Sequence, residues 1–107
     1  MEKYRLSISS TFNGLYLGFI SYLDTVEPLL MDFAKAFKLE ANLYFKKDND
    51  YFELSDPSKE GAGTFRVIAV YDFTSDRITA NRIRKALFYF MLINGFKDEE
   101  NVKHPFN

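Results

Sequence analysis

The chain has 107 residues, a length that fits one domain built on one core. Its formal net charge is −1, and it has no cysteine and a single histidine. Disulfides, thiolate metal sites, cysteine nucleophiles and histidine triads are thereby excluded within one chain. The balanced charge sets up no overall field toward DNA or an anionic membrane. No segment reaches the ~20 apolar residues of a membrane helix. Residues 1–10, MEKYRLSISS, contain no apolar run of signal-peptide length. A cytoplasmic location is the expectation. Hydrophobic residues at 47% and charged residues at 27% are ordinary for a globular chain and argue against disorder. The 12 Phe and 7 Tyr, with no Trp, point to an aromatic core, and a surplus of rings also suits a contact surface.

Residues 3–10 alternate, with Tyr4, Leu6 and Ile8 on one face and Lys3, Arg5, Ser7 and Ser9 on the other. Period two predicts a half-buried strand. Asn13-Gly14 then predicts a hairpin turn, because both residues tolerate positive φ. Residues 15–22 read as a strand apolar on both faces. A helix also fits, since Leu15, Phe19 and Leu23 are four apart. Asp24 with Glu27 forms a capping-box pattern, and Pro28 suits a first turn. Val26, Leu29, Leu30, Phe33 and Phe37 would be the buried stripe of the helix that follows. NLYFKKDNDYFEL, residues 42–54, predicts a second hairpin. Leu43 and Phe45 lie on one strand, Phe52 and Leu54 on the other, and Lys47 to Asp50 form the turn. Residues 55–63 predict a loop. Residues 64–73, TFRVIAVYDF, predict a central strand covered on both sides. Thr74, Ser75 and Asp76 are N-cap residues for a last helix, ended by Asn94-Gly95-Phe96. The expected fold is one α+β domain over residues 1–107, mainly antiparallel sheet with two helices in the order β-β-α-β-β-β-α, with a flexible tail at 97–107.

Catalytic constellations are sparse. His104 stands before Pro105 in the tail. Asp48, Asn49, Asp50 and Glu53 offer hard oxygen ligands, but without the glycine and spacing of a calcium loop they read as a turn. Residues 59–64, KEGAGT, precede a strand where a phosphate loop would precede a helix. No cofactor or metal site is expected. RVIAVYDFTSDRITANRIRKALFYFMLINGF, residues 66–96, runs from a hydrophobic strand through Asp72 and a polar turn into an arginine-bearing helix. This run is similar to the opening strand–helix unit of the CRISPR-associated adaptation endonucleases, which have a ferredoxin-like fold. In that family an aspartate at the strand end binds metal, and the resemblance would give Asp72 that place. It covers 31 residues, and the further strands of the family would have to come from the tail. The same junction is common, with Asp72 available for backbone capping.

Placed on a helical wheel, the last helix has a core stripe of Ile83, Ala86, Leu87, Phe90 and Ile93. Phe88 and Leu92 fall on the opposite side, with Arg77, Asn81, Arg84 and Lys85. Two large apolar side chains on a charged face predict a cover: another part of the chain, a second copy, or a foreign protein. The function expected from this is a small non-catalytic protein-binding module of the inhibitor, immunity or adaptor type. It would act on another protein or as a homodimer through Arg84, Lys85, Phe88 and Leu92. Two alternatives stand beside it. One is a metal-dependent phosphodiesterase or nuclease using Asp72, with Asp76 as an auxiliary acid. The other is a single-stranded nucleic-acid binder, with bases stacked on aromatic side chains.

Overall fold

The computed structural model describes residues 1–100 and 102. His104 and most of the tail lie outside the described residues. Two strands of 14 residues dominate the fold, β1 (Glu2–Leu15) and β4 (Ala62–Ser75). They pair antiparallel along their whole length, from Glu2↔Ser75 to Leu15↔Ala62. β2 (Glu40–Lys47) lies on the other side of β4, and β3 (Asp50–Phe52) folds back on β2. β5 (Lys97–Asp98) pairs with the outer edge of β1. The sheet order is β3-β2-β4-β1-β5. Helices α1 (Tyr16–Phe37) and α2 (Arg77–Asn94) complete the chain, in the order β1-α1-β2-β3-β4-α2-β5. This is the expected α+β class, one domain with an antiparallel sheet and two helices. Setting aside the short β3, strand order and connections are those of the split β-α-β, or ferredoxin-like, arrangement.

Side-chain alternation explains the layers. Leu6, Ile8, Ser10 and Phe12 of β1 lie opposite Tyr71, Ala69, Val67 and Phe65 of β4, and this face receives the helices. The other face of β4 carries Ile68 and Val70, also buried, so the central strand has buried side chains on both faces although both helices lie on one. Phe19 of α1 is the hub of the core. Its ring stacks on Phe65 at 5.0 Å and meets Phe45 and Phe52 edge-on at 6.3 and 6.4 Å. Farther along, Phe33 touches Tyr71 and Phe90 of α2, at 5.4 and 5.0 Å between ring centres. The two polar groups buried under α1 are satisfied. Tyr71 donates to the Leu30 carbonyl at 2.8 Å, and Ser10 and Tyr22 share a hydroxyl–hydroxyl hydrogen bond.

The largest difference from expectation lies at residues 13–28. Asn13 and Gly14 are not a turn: they continue β1, opposite Thr64 and Gly63. Residues 16–22 are helix, not strand, so α1 runs 22 residues. Asp24 and Glu27 are therefore exposed mid-helix residues and cap nothing, and Pro28 lies inside the helix. Pro28 has no N–H for the Asp24 carbonyl, a loss normally prohibitive mid-helix. Here the six buried residues Phe19, Leu23, Val26, Leu30, Phe33 and Ala34 hold the turns on either side. The entry to α1 has no side-chain cap, and the Tyr16 N–H bonds the Gly61 carbonyl at 3.0 Å instead. Gly18 lets the helix approach β1: a Cβ there would stand 2.8 Å from the Phe12 ring. Leu29 and Phe37, predicted on the buried stripe, are exposed, as is Leu54, which lies beyond β3.

Other local readings hold. Asp48 accepts the Thr64 N–H at 3.1 Å while its own N–H bonds the Thr64 carbonyl at 2.7 Å, so it pins the β2–β3 turn to β4. Asp76 caps α2, accepting from the Thr79 N–H at 2.7 Å and from its hydroxyl at 3.0 Å. Gly95 ends α2 in the left-handed region at φ 72°, and Phe96 folds back into the core against Phe90. The start of the tail, expected to be flexible, instead forms β5.

Candidate interaction surface on the C-terminal helix

α2 rests on the sheet through Ala80, Ile83 and Leu87. Ala86, Phe90 and Met91 flank them, half-buried. Ile93, assigned by the wheel to this stripe, is 82% exposed instead. It lies on the shoulder of the wheel in the last turn of α2, where Phe96 rather than Ile93 fills the core.

The predicted contact residues lie where expected on the outward side. Phe88 is 53% and Leu92 63% exposed, and Tyr89 at 62% joins them. With Ile93, four large apolar side chains stand together within residues 88–93. Arg84 and Lys85 are exposed one turn earlier, and with Asn81, Phe88 and Tyr89 they line a shallow depression. Tyr89 and Ile93 were not among the residues expected. Their signal was present as spacing, since positions i, i+1, i+4 and i+5 share a broad face. For Ile93 it was masked by assigning that residue to the core stripe, and Tyr89 was assigned to neither side.

The electrostatics of this helix differ from those of the sheet. α2 contains Arg77, Arg82, Arg84 and Lys85 and no acid, so the rest of a chain of net charge −1 sums to −5. Among the described residues the ion pairs are Arg5–Asp72 and Arg66–Glu99, both on the sheet. Both sheet arginines are thus paired, and among the described residues the three arginines of α2 have no ion-pair partner. Cations in the first half of a helix also oppose its dipole.

Asp72 sits on the helix-free face of β4, opposite Arg5. Arg5 Nε donates to Oδ1 at 2.7 Å and a terminal nitrogen to Oδ2 at 3.0 Å, a two-pronged grip on the carboxylate. Asp76 is engaged in capping α2, and hydrogen bonds from the Thr79 N–H and hydroxyl hold its carboxyl below the usual range. No group of three or more His, Asp or Glu side chains arranged to hold a metal ion is found among the described residues. Residues 66–96, similar to an opening strand–helix unit, here form the strand and helix of the second half of the fold. Asp72 accordingly does not stand at the end of the first strand.

A deeper cleft, of about 780 Å³, lies on the flank of α2 next to β1. Leu6, Leu87, Phe88, Met91 and Val102 form its apolar lining. Arg84 stands on one side and Asp98, Glu99 and Glu100 on the other. Phe88 and Arg84 thus border both the outward patch and this cleft. No helix among the described residues is long and apolar enough to cross a membrane. No family model matches this chain, and no curated protein or solved structure matches it either, so the reading of its function is built on the chemistry of α2 and its surroundings.

Proposed function

We propose that this chain is a small non-catalytic protein-binding module whose contact surface is the outward side of α2. The observation that carries this is the exposure of Phe88, Tyr89, Leu92 and Ile93 within one stretch of α2, beside cations that have no ion-pair partner among the described residues. Burying each such side chain against a partner contributes about 1.5–3 kcal/mol. The cations ring the apolar centre, as the polar rim of an interface does, and select an acidic partner surface. Inhibitor, immunity protein and assembly adaptor are the kinds of protein that act this way. The test is Phe88→Asp and Leu92→Asp in a protein shown to be folded. Affinity capture from the host and solution mass should both change from wild type. Unchanged assembly and unchanged capture would remove α2 as the surface.

A second reading has one observation in its favour: two exposed rings, Phe88 and Tyr89, stand beside the exposed cations Arg84 and Lys85, as on surfaces that stack single-stranded bases. Binding of that kind weakens steeply with salt, by a log–log slope of about −0.7 per neutralised phosphate. The metal-dependent enzyme would need Asp72 freed from Arg5 and Asp76 from Thr79. Calorimetric heat from a metal titration, lost in Asp72→Asn, would favour it.

A further inference from the structure

β2 outruns its outer neighbour. It has eight residues and β3 has three, and β3 pairs with Phe45, Lys46 and Lys47 alone. In an antiparallel ladder the N–H and C=O of one residue point to the same side, and the side alternates along the strand. The Ser7 carbonyl accepts from Glu99 on the outer side of β1, so the even residues of β1 bond β4. Carried through the register, Glu40, Asn42, Tyr44 and Lys46 then turn to β4. The Asp48 N–H on the Thr64 carbonyl continues the same series. Ala41 and Leu43 therefore direct their backbone groups outward. In register, a longer β3 would set Asp56 and Leu54 opposite them. The chain turns away instead: the Leu54 carbonyl accepts from the Tyr16 hydroxyl, and the Asp56 N–H bonds the Glu53 carbonyl at 2.9 Å. Among the described residues no group bonds the outer side of Ala41 or Leu43. A hollow of about 410 Å³ opens where β3 departs, with Leu43, Phe45, Phe52 and Leu54 in its lining. β5, which the C-terminal residues follow, lies at the opposite edge of the sheet, beyond β4 and β1.

The geometry points to a strand-acceptor site on β2: residues 40–43 take an extended, basic segment of another protein, antiparallel to β2 and in line with β3. This lies apart from α2 and goes beyond the surface proposed there. Main-chain bonds to Ala41 and Leu43 supply affinity, and alternate side chains supply selectivity. The edge carries none of the usual devices against pairing. Residues 40–44, EANLY, contain no lysine or proline, and their register with β4 runs without a bulge. Ala41, Leu43 and Phe45 lie on the helix face and pack on the core. The added residues opposite Leu43 and Ala41 share that face and are apolar. Charge marks both ends. Glu53 follows Phe52 in the slot opposite Tyr44, and Glu40 stands at the start of β2. Both are exposed, and neither has an ion-pair partner among the described residues. A segment running as β3 does meets Glu53 first and Glu40 last. It therefore has the order apolar–any–apolar–basic, with a cation or a free α-amine ahead of it. A second copy is the poorer occupant. Two β2 edges that share Ala41 and Leu43 pair about Asn42, which brings Glu40 to the slot that Glu53 of the other copy holds, and like charges there are destabilising.

The test is selection of a displayed library of random ten-residue peptides on the full chain, followed by amide hydrogen exchange of the complexes. Enriched peptides should share the order apolar–any–apolar–basic. The Ala41 and Leu43 amides should exchange at least ~10-fold more slowly in the complex. Ala41→Pro removes an outward N–H without touching a β4 bond and should weaken binding about 10-fold. Glu40→Lys, at an exposed position, should weaken it about 5-fold. Phe88→Asp on α2 should leave it unchanged. Thermal melts confirm that the variants fold, and if Ala41→Pro does not, Glu40→Lys and the exchange rates decide. Failure to enrich any peptide overturns the inference, as does enrichment of acidic peptides. Peptides that leave both amides unprotected and bind Ala41→Pro and Glu40→Lys equally well overturn strand addition on β2, and their loss in Phe88→Asp would assign them to α2. Slow exchange of the same amides in a peptide-free monomer means that the chain itself fills the edge and overturns the inference. The same protection with a dimer in sedimentation assigns the edge to a second copy and overturns the foreign strand.

Discussion

The two helices lie on the same face of the same sheet and differ in what they bury. α1 buries six residues, including the rings of Phe19 and Phe33, and α2 buries three, Ala80, Ile83 and Leu87. The exposed apolar residues of α1, Leu17, Leu29 and Phe37, are scattered along it, whereas those of α2 adjoin one another at 88–93. The outward side of α1 carries both signs, Asp24, Glu27 and Asp32 with Lys35, and that of α2 carries four cations and no acid. Both helices are equally available to solvent on one side, yet only one has gathered apolar side chains and a single sign of charge there. The lesson is a division of labour. α1 anchors the fold, and α2 is anchored lightly while holding its chemistry outward.

That division can be broken at the core first. Phe19→Ala should cost about 3–5 kcal/mol in chemical denaturation, because its cavity opens at the meeting point of four aromatic rings. Leu87→Ala, the corresponding truncation under α2, should cost less, about 2–3 kcal/mol. Equal losses would erase the contrast. Gly18→Ala gains helix propensity but drives a Cβ against Phe12, for a net cost of about 1–2 kcal/mol.

Acid sharpens the comparison. The Asp76 carboxyl is held below its ordinary value by hydrogen bonds from Thr79. A depressed carboxyl contributes stability that is present above its unfolded value, about pH 4, and disappears as pH falls through the folded one. α1 has no acidic cap. Hydrogen exchange at the start of α2 should therefore accelerate below about pH 4, before exchange at the start of α1 does. The smallest effect belongs to the outward residues. Phe88→Asp and Leu92→Asp should change stability by no more than about 0.5 kcal/mol while abolishing partner binding. A large loss of stability would mean that these side chains serve the fold.

Much of the candidate surface was legible because it depends on helical period alone. Phe88 and Leu92 fall on the charged side of α2 whatever the helix packs against. Asp76 and Gly95 were legible as caps because capping is settled within four residues of chain. Residues 13–28 were misread because their local signals compete. Asn-Gly, a capping box and an early proline all favour a break, and the burial of Phe19 by Phe45, Phe52 and Phe65 overrides them. Ile93 was misplaced because the wheel assigns direction but not how far the sheet extends beneath the helix. The Arg5–Asp72 pair joins residues 67 apart and has no local signature.

By itself the sequence determined what period and composition determine: the α+β class, the doubly buried β4, the bounds and caps of α2, and the apolar residues on its charged side. Tertiary structure alone decided that 16–22 is helix, that Asp72 is held by Arg5, and that β5 stops after two residues beside an 18-residue helix. The reason is range. Caps and periods act within a few residues, but strand partners and ion pairs across the sheet depend on segments distant in sequence, whose meeting no local pattern records.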